Sequence, residues 1–417
     1  MTHPTEYLVA DMASTCDKAQ YGNVKGVSVQ HYLVKMLHQI LLNLDKQSQS
    51  ESFAVLVSMI DWSKAFDHQS HILGLQSFID NGVRPALIPI LLSFFQERKM
   101  RVKWKSKISS SRPLPGGGPQ GGTLGILEYK SQSDDNTDFL TEKEKYKFID
   151  DLSILEVINL ILCGISSYNS KQQVPSDIAI QNKFIDSTHL KTESYLHKIS
   201  EWTQQKQMRL NNEKSNYMIF NFSKTNQFNT RLHMGNNIIA QVRQTCLLGV
   251  IIRDDLKWHN NTASLVKRCY QRMSILRNLA SFYVPIQEMV SIYCLYIRSV
   301  AEQSSVVWSS SITVGEQNDL ERIQKVALKI ILGENYLCYE NALYITNLET
   351  LKARRMQLSK RFAIKCTKNE VLSDMFPLSE HNVNTRNPEK YTVTKARTNR
   401  LAVSAIPIMQ RQLNKLK

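Results

Sequence analysis

Residues 53–60 read FAVLVSMI, a nearly continuous apolar run that stops on Asp61. Eight residues are too few for a stable helix of their own and suit a strand buried in the core of a sheet. A second segment, YKFIDDLSILEVINLIL at 146–162, holds a short apolar stretch, two aspartates and a longer apolar stretch. Its pattern predicts strand, turn and strand, with Asp150 and Asp151 at the tip. Any fold for this chain must therefore bury two apolar segments and let both leave the core on carboxylates.

Charge narrows the partners. Fifty-two Lys and Arg against thirty-seven Asp and Glu give a net charge of +15 over 417 residues. Such a balance fits a polyanionic partner, nucleic acid being the commonest, and also fits a basic protein with no such partner. The seven cysteines are scattered with no Cys-x-x-Cys pair, which excludes that kind of zinc site and argues for a reducing, intracellular compartment. No signal-peptide pattern opens the chain, and stretches such as LIPILLSFF at 87–95 are too short to span a membrane.

Around the two acidic segments the periodicities predict an amphipathic helix over 28–45 and helices near 68–80 and 85–97. KMRVKWKSK at 99–107 alternates, with Met100, Val102 and Trp104 on one face and lysines and Arg101 on the other. It predicts one strand whose basic face either tracks phosphates or is simply solvated. The polar run 129–145 predicts a loop, 190–208 a helix, 210–222 and 246–258 strands, and the chain beyond 260 helices.

Carboxylates gathered at one sheet edge repel unless a cation neutralises them, and Mg²⁺ is the oxygen-seeking ion expected. Two such ions about 3.5–4 Å apart clamp the attacking and leaving oxygens of a phosphoryl displacement. Aspartate also favours turns for its own reasons. Asp134–Asp135 and Asp254–Asp255 are comparable pairs. Between these acids lies GGGPQGG at 116–122, which lacks the Lys-Ser/Thr of a phosphate-binding loop. Its glycines let backbone approach a ligand closely, and Pro119 stiffens the turn presenting Gln120. There is no nucleophile elbow and no H-E-x-x-H, and His68 and His71 lack a third ligand.

Five segments in order, DWSKAFDHQSHILGLQ (61–76), GGGPQGGTLG (116–125), KFIDDLSIL (147–155), LNNEKSNYMIF (210–220) and LLGVIIRDDLKW (247–258), resemble motifs A to E of reverse transcriptases from non-LTR retrotransposons of the LINE-type, jockey-like group. QYGNVKGVSVQHYLV at 20–34 resembles the segment preceding motif A, and LERIQKVALKIIL the helical thumb. The resemblance implies an α+β right-hand polymerase. Its palm is an antiparallel sheet with packed helices and partial fingers over 1–255, followed by a helical thumb over 256–345 and a helical C-terminal region over 346–417. It implies that Asp61 and Asp150, with Asp151 beside them, hold two Mg²⁺ ions or Mn²⁺ in their place. Phe66 becomes the steric gate under the nucleotide sugar. Pro119, Gln120 and Gly121 lie against the incoming nucleotide, and Lys214 lies near its triphosphate. The implied reaction is RNA-directed DNA polymerisation from dNTPs on an RNA template and a DNA primer. Lys267, Arg268, Arg272 and Arg277 are candidate duplex contacts on the thumb.

Departures from the family pattern shape the alternatives. Only about twenty residues precede the QYG segment, which implies N-terminal truncation of the fingers; no endonuclease domain or Cys/His knuckle is present. Gly122 replaces Ser/Thr, ILEY (126–129) replaces Pro-Leu-Leu-Phe, and Phe148–Ile149 replace Tyr-Ala before the acids. A catalytically inactive nucleic-acid-binding remnant is the alternative. A metal-dependent nuclease leaves the Pro-Gln-Gly and Lys214 residues without a role. The sequence is silent on oligomeric state.

Overall fold

The computed structural model describes residues 4–13, 15, 17–46, 52–114, 116–118, 122–161, 183–185, 190–223, 228–369, 371–379 and 390–416. The chain divides into two compact units, one formed by 1–28 and 47–242, the other by 29–46 and 243–417.

The first unit is organised on the run 53–60. It forms the strand Phe53–Ile60, the middle member of a five-stranded sheet. It pairs antiparallel with Asp151–Asn159 on one side and Asn216–Phe220 on the other; Lys145–Phe148 and Ala240–Gln241 form the edges. Being covered on both faces explains the unbroken apolar sequence: Ala54, Leu56 and Ile60 join one core with Leu152, Ile154, Ile158 and Tyr217. The helix Lys191–Gln205 contributes Leu196, Ile199 and Trp202 to that core. A smaller core forms where Phe78 of the helix His71–Asp80 meets Leu91 and Phe95 of Ile88–Phe95 and Leu127 of Thr123–Ser133.

Two expectations from the sequence change here. The polar run 129–145 is not a loop: its first part completes the helix Thr123–Ser133, and a 3-10 turn spans Asp134–Thr137. Several of its polar residues are buried with a partner. Asn81 Nδ2 donates to Ser131 Oγ (2.9 Å), and Gln132 Nε2 donates to Ser70 O (2.8 Å). The single alternating strand at 99–107 is likewise replaced by two short ladders, Lys99–Met100 with Arg112–Pro113 and Lys103–Trp104 with Lys107–Ile108. The chain reverses at Lys105, where φ is +52°.

In the second unit the amphipathic helix Val29–Asp45 is walled by helices from the far end of the sequence. His31 packs on Phe362, and both Asp45 carboxylate oxygens cap the segment at Arg397 and Thr398. The strand-rich stretch near 250 forms a hairpin, Gln244–Leu247 with Val250–Arg253, and Asn261 Oδ1 at the start of helix His259–Ser281 accepts from Ile251 N–H. The sequence reading draws boundaries at 255 and 345. By contacts the division falls at 242, and 256–417 is continuous with Leu351–Cys366 packed on Val314–Leu332. That last helix begins with the reciprocal Thr313–Glu316 capping box and buries Leu320, Ile323, Ala327 and Leu328 on one stripe. Among the described residues no helix is long and apolar enough to cross a membrane.

A buried ion cluster fixes the outer hairpin of the sheet. Asp17 Oδ2 lies 2.8 Å from Lys145 Nζ and 2.9 Å from Lys147 Nζ, and Lys147 also donates to the carbonyls of Ser133 and Asp134. Burial pushes the Asp17 carboxyl up, but the two ammonium groups outweigh it and hold it below the usual range. Asp17→Ala leaves two buried cations without a counter-charge, and a loss of about 3–5 kcal/mol in urea denaturation is expected. A loss within the spread of surface substitutions contradicts this role for the cluster.

Candidate active site

The site is built by register. Ile60 pairs with Leu152 across one ladder and Met59 with Asn216 across the other. Continued past the last bonded pairs, the same registers set Asp61 opposite Asp151 on one side and Lys214 on the other. Directly opposed residues share a sheet face. Lys214 Nζ lies 3.8 Å from Asp61 Oδ2. The Asp61 backbone is pinned from the same side, its N–H donating to the Ser215 hydroxyl (3.1 Å) and its carbonyl accepting from Asn211 N–H (2.9 Å).

Asp150 sits in the two-residue turn that joins Phe148 to its partner Asp151. The other turn residue, Ile149, has φ of +58°, an outlier for a β-branched side chain. Gln20 holds it there. The Gln20 Oε1 accepts from both Ile149 N–H (2.9 Å) and Gly22 N–H (2.8 Å), while backbone bonds run between Ala19 or Tyr21 and Lys147. Gly22 is required by closeness, since a Cβ there would lie 2.5 Å from Ile149 N and Cγ1. The sequence reading takes 20–34 only as a resemblance and does not single out Gln20 or Gly22. Their signal is a bulky residue at a turn, which needs an outside support.

The three carboxylates feel one another. Burial first, then the charges of Asp150 and Asp61, push the Asp151 carboxyl up to about 6. Burial, and then Asp61, also raise Asp150. Burial foremost, then Asp150, Asp151 and Asp61, drive the phenol of the fully buried Tyr129 far above its ordinary range. Tyr129 stacks on Phe66 with centroids 5.2 Å apart, and its hydroxyl has no hydrogen-bond partner. Phe66 therefore lies within the same constellation, and Tyr129 is a member the sequence reading does not name. The other acid pairs are engaged elsewhere. Asp135 accepts from Trp202 Nε1 and bridges Lys206; Asp255 bridges Arg253. Among the described residues no cation pairs with Asp150 or Asp151, and no three His, Cys, Asp or Glu side chains cage an ion by themselves.

Pro119, Gln120 and Gly121 lie outside the described residues. The glycines just before them approach the chain's own backbone. Gly117 N–H donates to Gln69 O and Gly118 N–H to Phe66 O, both at 2.8 Å, and His71 Nε2 meets Gly117 O at 3.0 Å. A Cβ on Gly118 would fall 1.9 Å from Gln69 Oε1. Beneath this loop the wholly buried Glu128 has neither carboxyl oxygen hydrogen-bonded, and Gln69 beside it is equally unsatisfied. Of the candidate thumb cations, Lys267 and Arg277 are exposed, whereas Arg272 lies over the Tyr296 ring at 4.4 Å and donates to its carbonyl. Arg268 is partly buried, with its Nε unpaired.

Comparison with known proteins finds distant relatives. No protein-family model matches the chain. It is 22% identical over 254 residues, 59% of its length, to the "Probable RNA-directed DNA polymerase from transposon BS" of Drosophila melanogaster. It is also 25% identical over 205 residues, 48% of its length, to the corresponding protein of transposon X-element of the same organism. The chain spans 25% and 19% of the length of these two relatives. Among solved structures, apo telomerase from Candida tropicalis superposes with a TM-score of 0.41 at 12% identity, covering 88% of this chain and 58% of that one. Telomerase from Candida albicans in complex with a fragment of telomeric RNA gives 0.36 at 11%, covering 89% and 57%. The α+β architecture and the ordered motifs are consistent with this likeness, which is to proteins named as RNA-directed DNA polymerases of transposons.

Burial raises Glu128 to about 8 against the opposing pull of Arg98. A carboxyl whose folded pKa is raised gives its full stabilisation below the unfolded value of 4.5 and loses it as pH climbs through the folded one. Glu128→Gln removes this dependence, so its melting temperature rises relative to the parent chain from about pH 5 to about pH 8. A constant gap across that range contradicts a buried, unpaired carboxyl.

Proposed function

We propose that this chain carries the centre of an RNA-directed DNA polymerase, transferring a nucleotide from a dNTP to a primer 3′-OH on an RNA template. The observation that supports the reading best is the sheet register that brings Asp61, Asp151 and Lys214 to one edge, with Asp150 on the adjoining turn. A protein with three mutually repelling carboxylates and an opposed lysine is suited to a substrate that brings both cation and phosphate.

The residues fit divalent metal. Asp61 Oδ2 is a buried oxygen with no hydrogen-bond partner, and burial first, then the charge of Asp61 among others, raises the Asp150 and Asp151 carboxyls. Mg²⁺ is held by one or two carboxylates completed by water and substrate phosphate, so a protein cage of three ligands is not required. Asp61, Asp150 and Asp151 would hold two Mg²⁺ ions, with Mn²⁺ able to substitute. When bound, these ions offset the charge that develops on the attacking and leaving oxygens. The chain's own groups do the rest. The carboxylates would keep the ions fixed at the sheet edge; the primer 3′-OH gives up its proton to water, its oxygen bonds to the α-phosphorus, and the α–β P–O bond breaks as pyrophosphate departs. Lys214, on the far side of Asp61, meets the leaving phosphates and offsets their charge or protonates them. Phe66, backed by Tyr129, lies under the sugar and excludes a ribose 2′-OH. Pro119, Gln120 and Gly121 would lie against the incoming nucleotide, and Lys267, Arg268, Arg272 and Arg277 would contact duplex phosphates, with Arg272 already tied to Tyr296.

Primer extension on poly(rA)–oligo(dT) with Mg²⁺ tests the reading. Extension by the parent chain and a loss of about 100-fold or more in Asp150→Asn are expected, for a group acting only in the transition state. Phe66→Ala is expected to admit ribonucleotides, and unchanged sugar selection removes the gate role. No extension by either chain, with salt-sensitive RNA binding retained, favours a catalytically silent nucleic-acid-binding remnant.

A further inference from the structure

The segment 99–113 takes no part in the site above, and every one of its residues is exposed. It stands as a hairpin. Lys99 and Met100 pair with Pro113 and Arg112; nearer the tip, Lys103 and Trp104 pair with Ile108 and Lys107. Its base is fastened by Leu114 N–H donating to Arg98 O (2.7 Å) and by the Arg98 guanidinium 4.3 Å over the Phe94 ring. A two-stranded hairpin packed against nothing is at best marginally stable in water. This one nonetheless leaves Trp104 74% exposed, while the chain's other four tryptophans are buried.

Its charge indicates what covers it. From Arg98 to Arg112 there are seven cations and no carboxylate, and the next acid along the chain is Glu128. The sequence reading places the cations on one face and the apolar residues on the other. The pairing instead sets Lys107 beside Trp104 and Lys103 beside Ile108, so each face of the tip mixes a cation with an apolar side chain. Lysine is depleted in protein interfaces, whereas a stacking ring among cations is the arrangement that takes single-stranded nucleic acid.

We propose that hairpin 99–113 is a binding arm for single-stranded nucleic acid, with Trp104 stacking on a base and Lys103, Lys105 and Lys107 contacting phosphates. It deepens the polymerase reading only in sharing a polymer substrate, and none of the carboxylates at the sheet edge enters it.

The test is binding of fluorescein-labelled oligo(dT) and oligo(rU) to the full chain, read by anisotropy of the label in every variant, with the fluorescence of the exposed Trp104 as a second signal in the chains that keep it. Quenching on binding is expected. Trp104→Ala should weaken affinity by about tenfold, while Trp104→Phe retains most of it. Replacing Lys103, Lys105 and Lys107 together by alanine should lower the slope of log affinity against log salt by about 2. Because these side chains are exposed, melting temperatures should match the parent chain. Asp150→Asn should bind as the parent does, so loss of polymerisation and loss of the arm remain separable. Affinity unchanged in both the Trp104→Ala and the lysine variants overturns the proposal. So does a Trp104 response to phosphatidylserine vesicles in place of oligonucleotide, or equal affinity for duplex DNA.

Discussion

The pairing of Phe53–Ile60 with its two neighbours is the constraint on which the rest of the first unit depends. Because side chains alternate with a period of two, slipping either neighbour by one residue would turn its apolar set out of the core. The buried residues on both faces of the middle strand therefore fix the register. The register in turn decides which residues stand beside Asp61 when the chain leaves the core. No interaction among Asp61, Asp151 and Lys214 has to be strong for them to meet. Three repelling carboxylates on a rigid sheet edge are held together by the packing of Leu56, Ile154 and Tyr217 several residues away.

The turn at Ile149–Asp150 carries backbone strain. A β-branched residue at positive φ persists only where its surroundings over-determine it. Here Gln20 bonds its N–H, the 19–21 segment ladders along Lys147, and Asp17 anchors Lys145 and Lys147 from below. The region ahead of the central strand thus serves the acid tip as a splint. Asp150 is presented by a turn whose shape is set from outside.

Much of this was legible in the sequence, for physical reasons. The strand at 53–60 and the helix at 29–45 announce themselves through apolar periodicity, and the acids through their place at the ends of such runs. The ordered motifs carried the resemblance to transposon RNA-directed DNA polymerases. What escaped was polar burial. The end of helix Thr123–Ser133, from residue 129 on, looks like a loop because Ser131, Gln132 and Ser133 are buried through hydrogen bonds, which leave no hydrophobic period. Gln20 and Gly22 act on residues more than a hundred positions away and have no local signature. The glycines at 116 and 117 make room for backbone of Phe66, Asp67 and Gln69, and Gly118 for the Gln69 side chain, close approaches that only the fold reveals. The hairpin at 99–113 kept its alternation in sequence but not its faces in space, because it doubles back at Lys105.

The central claim is that Asp61, Asp150 and Asp151 form one divalent-cation site set by sheet register. Mn²⁺ binding followed by electron paramagnetic resonance tests it most directly, in the parent chain and in Asp61→Asn, Asp151→Asn and the control Asp135→Asn. The account predicts that the first two variants each weaken binding by about tenfold or more, for loss of a directly coordinating oxygen, while the control binds as the parent does. Equal affinity in all four chains would contradict it.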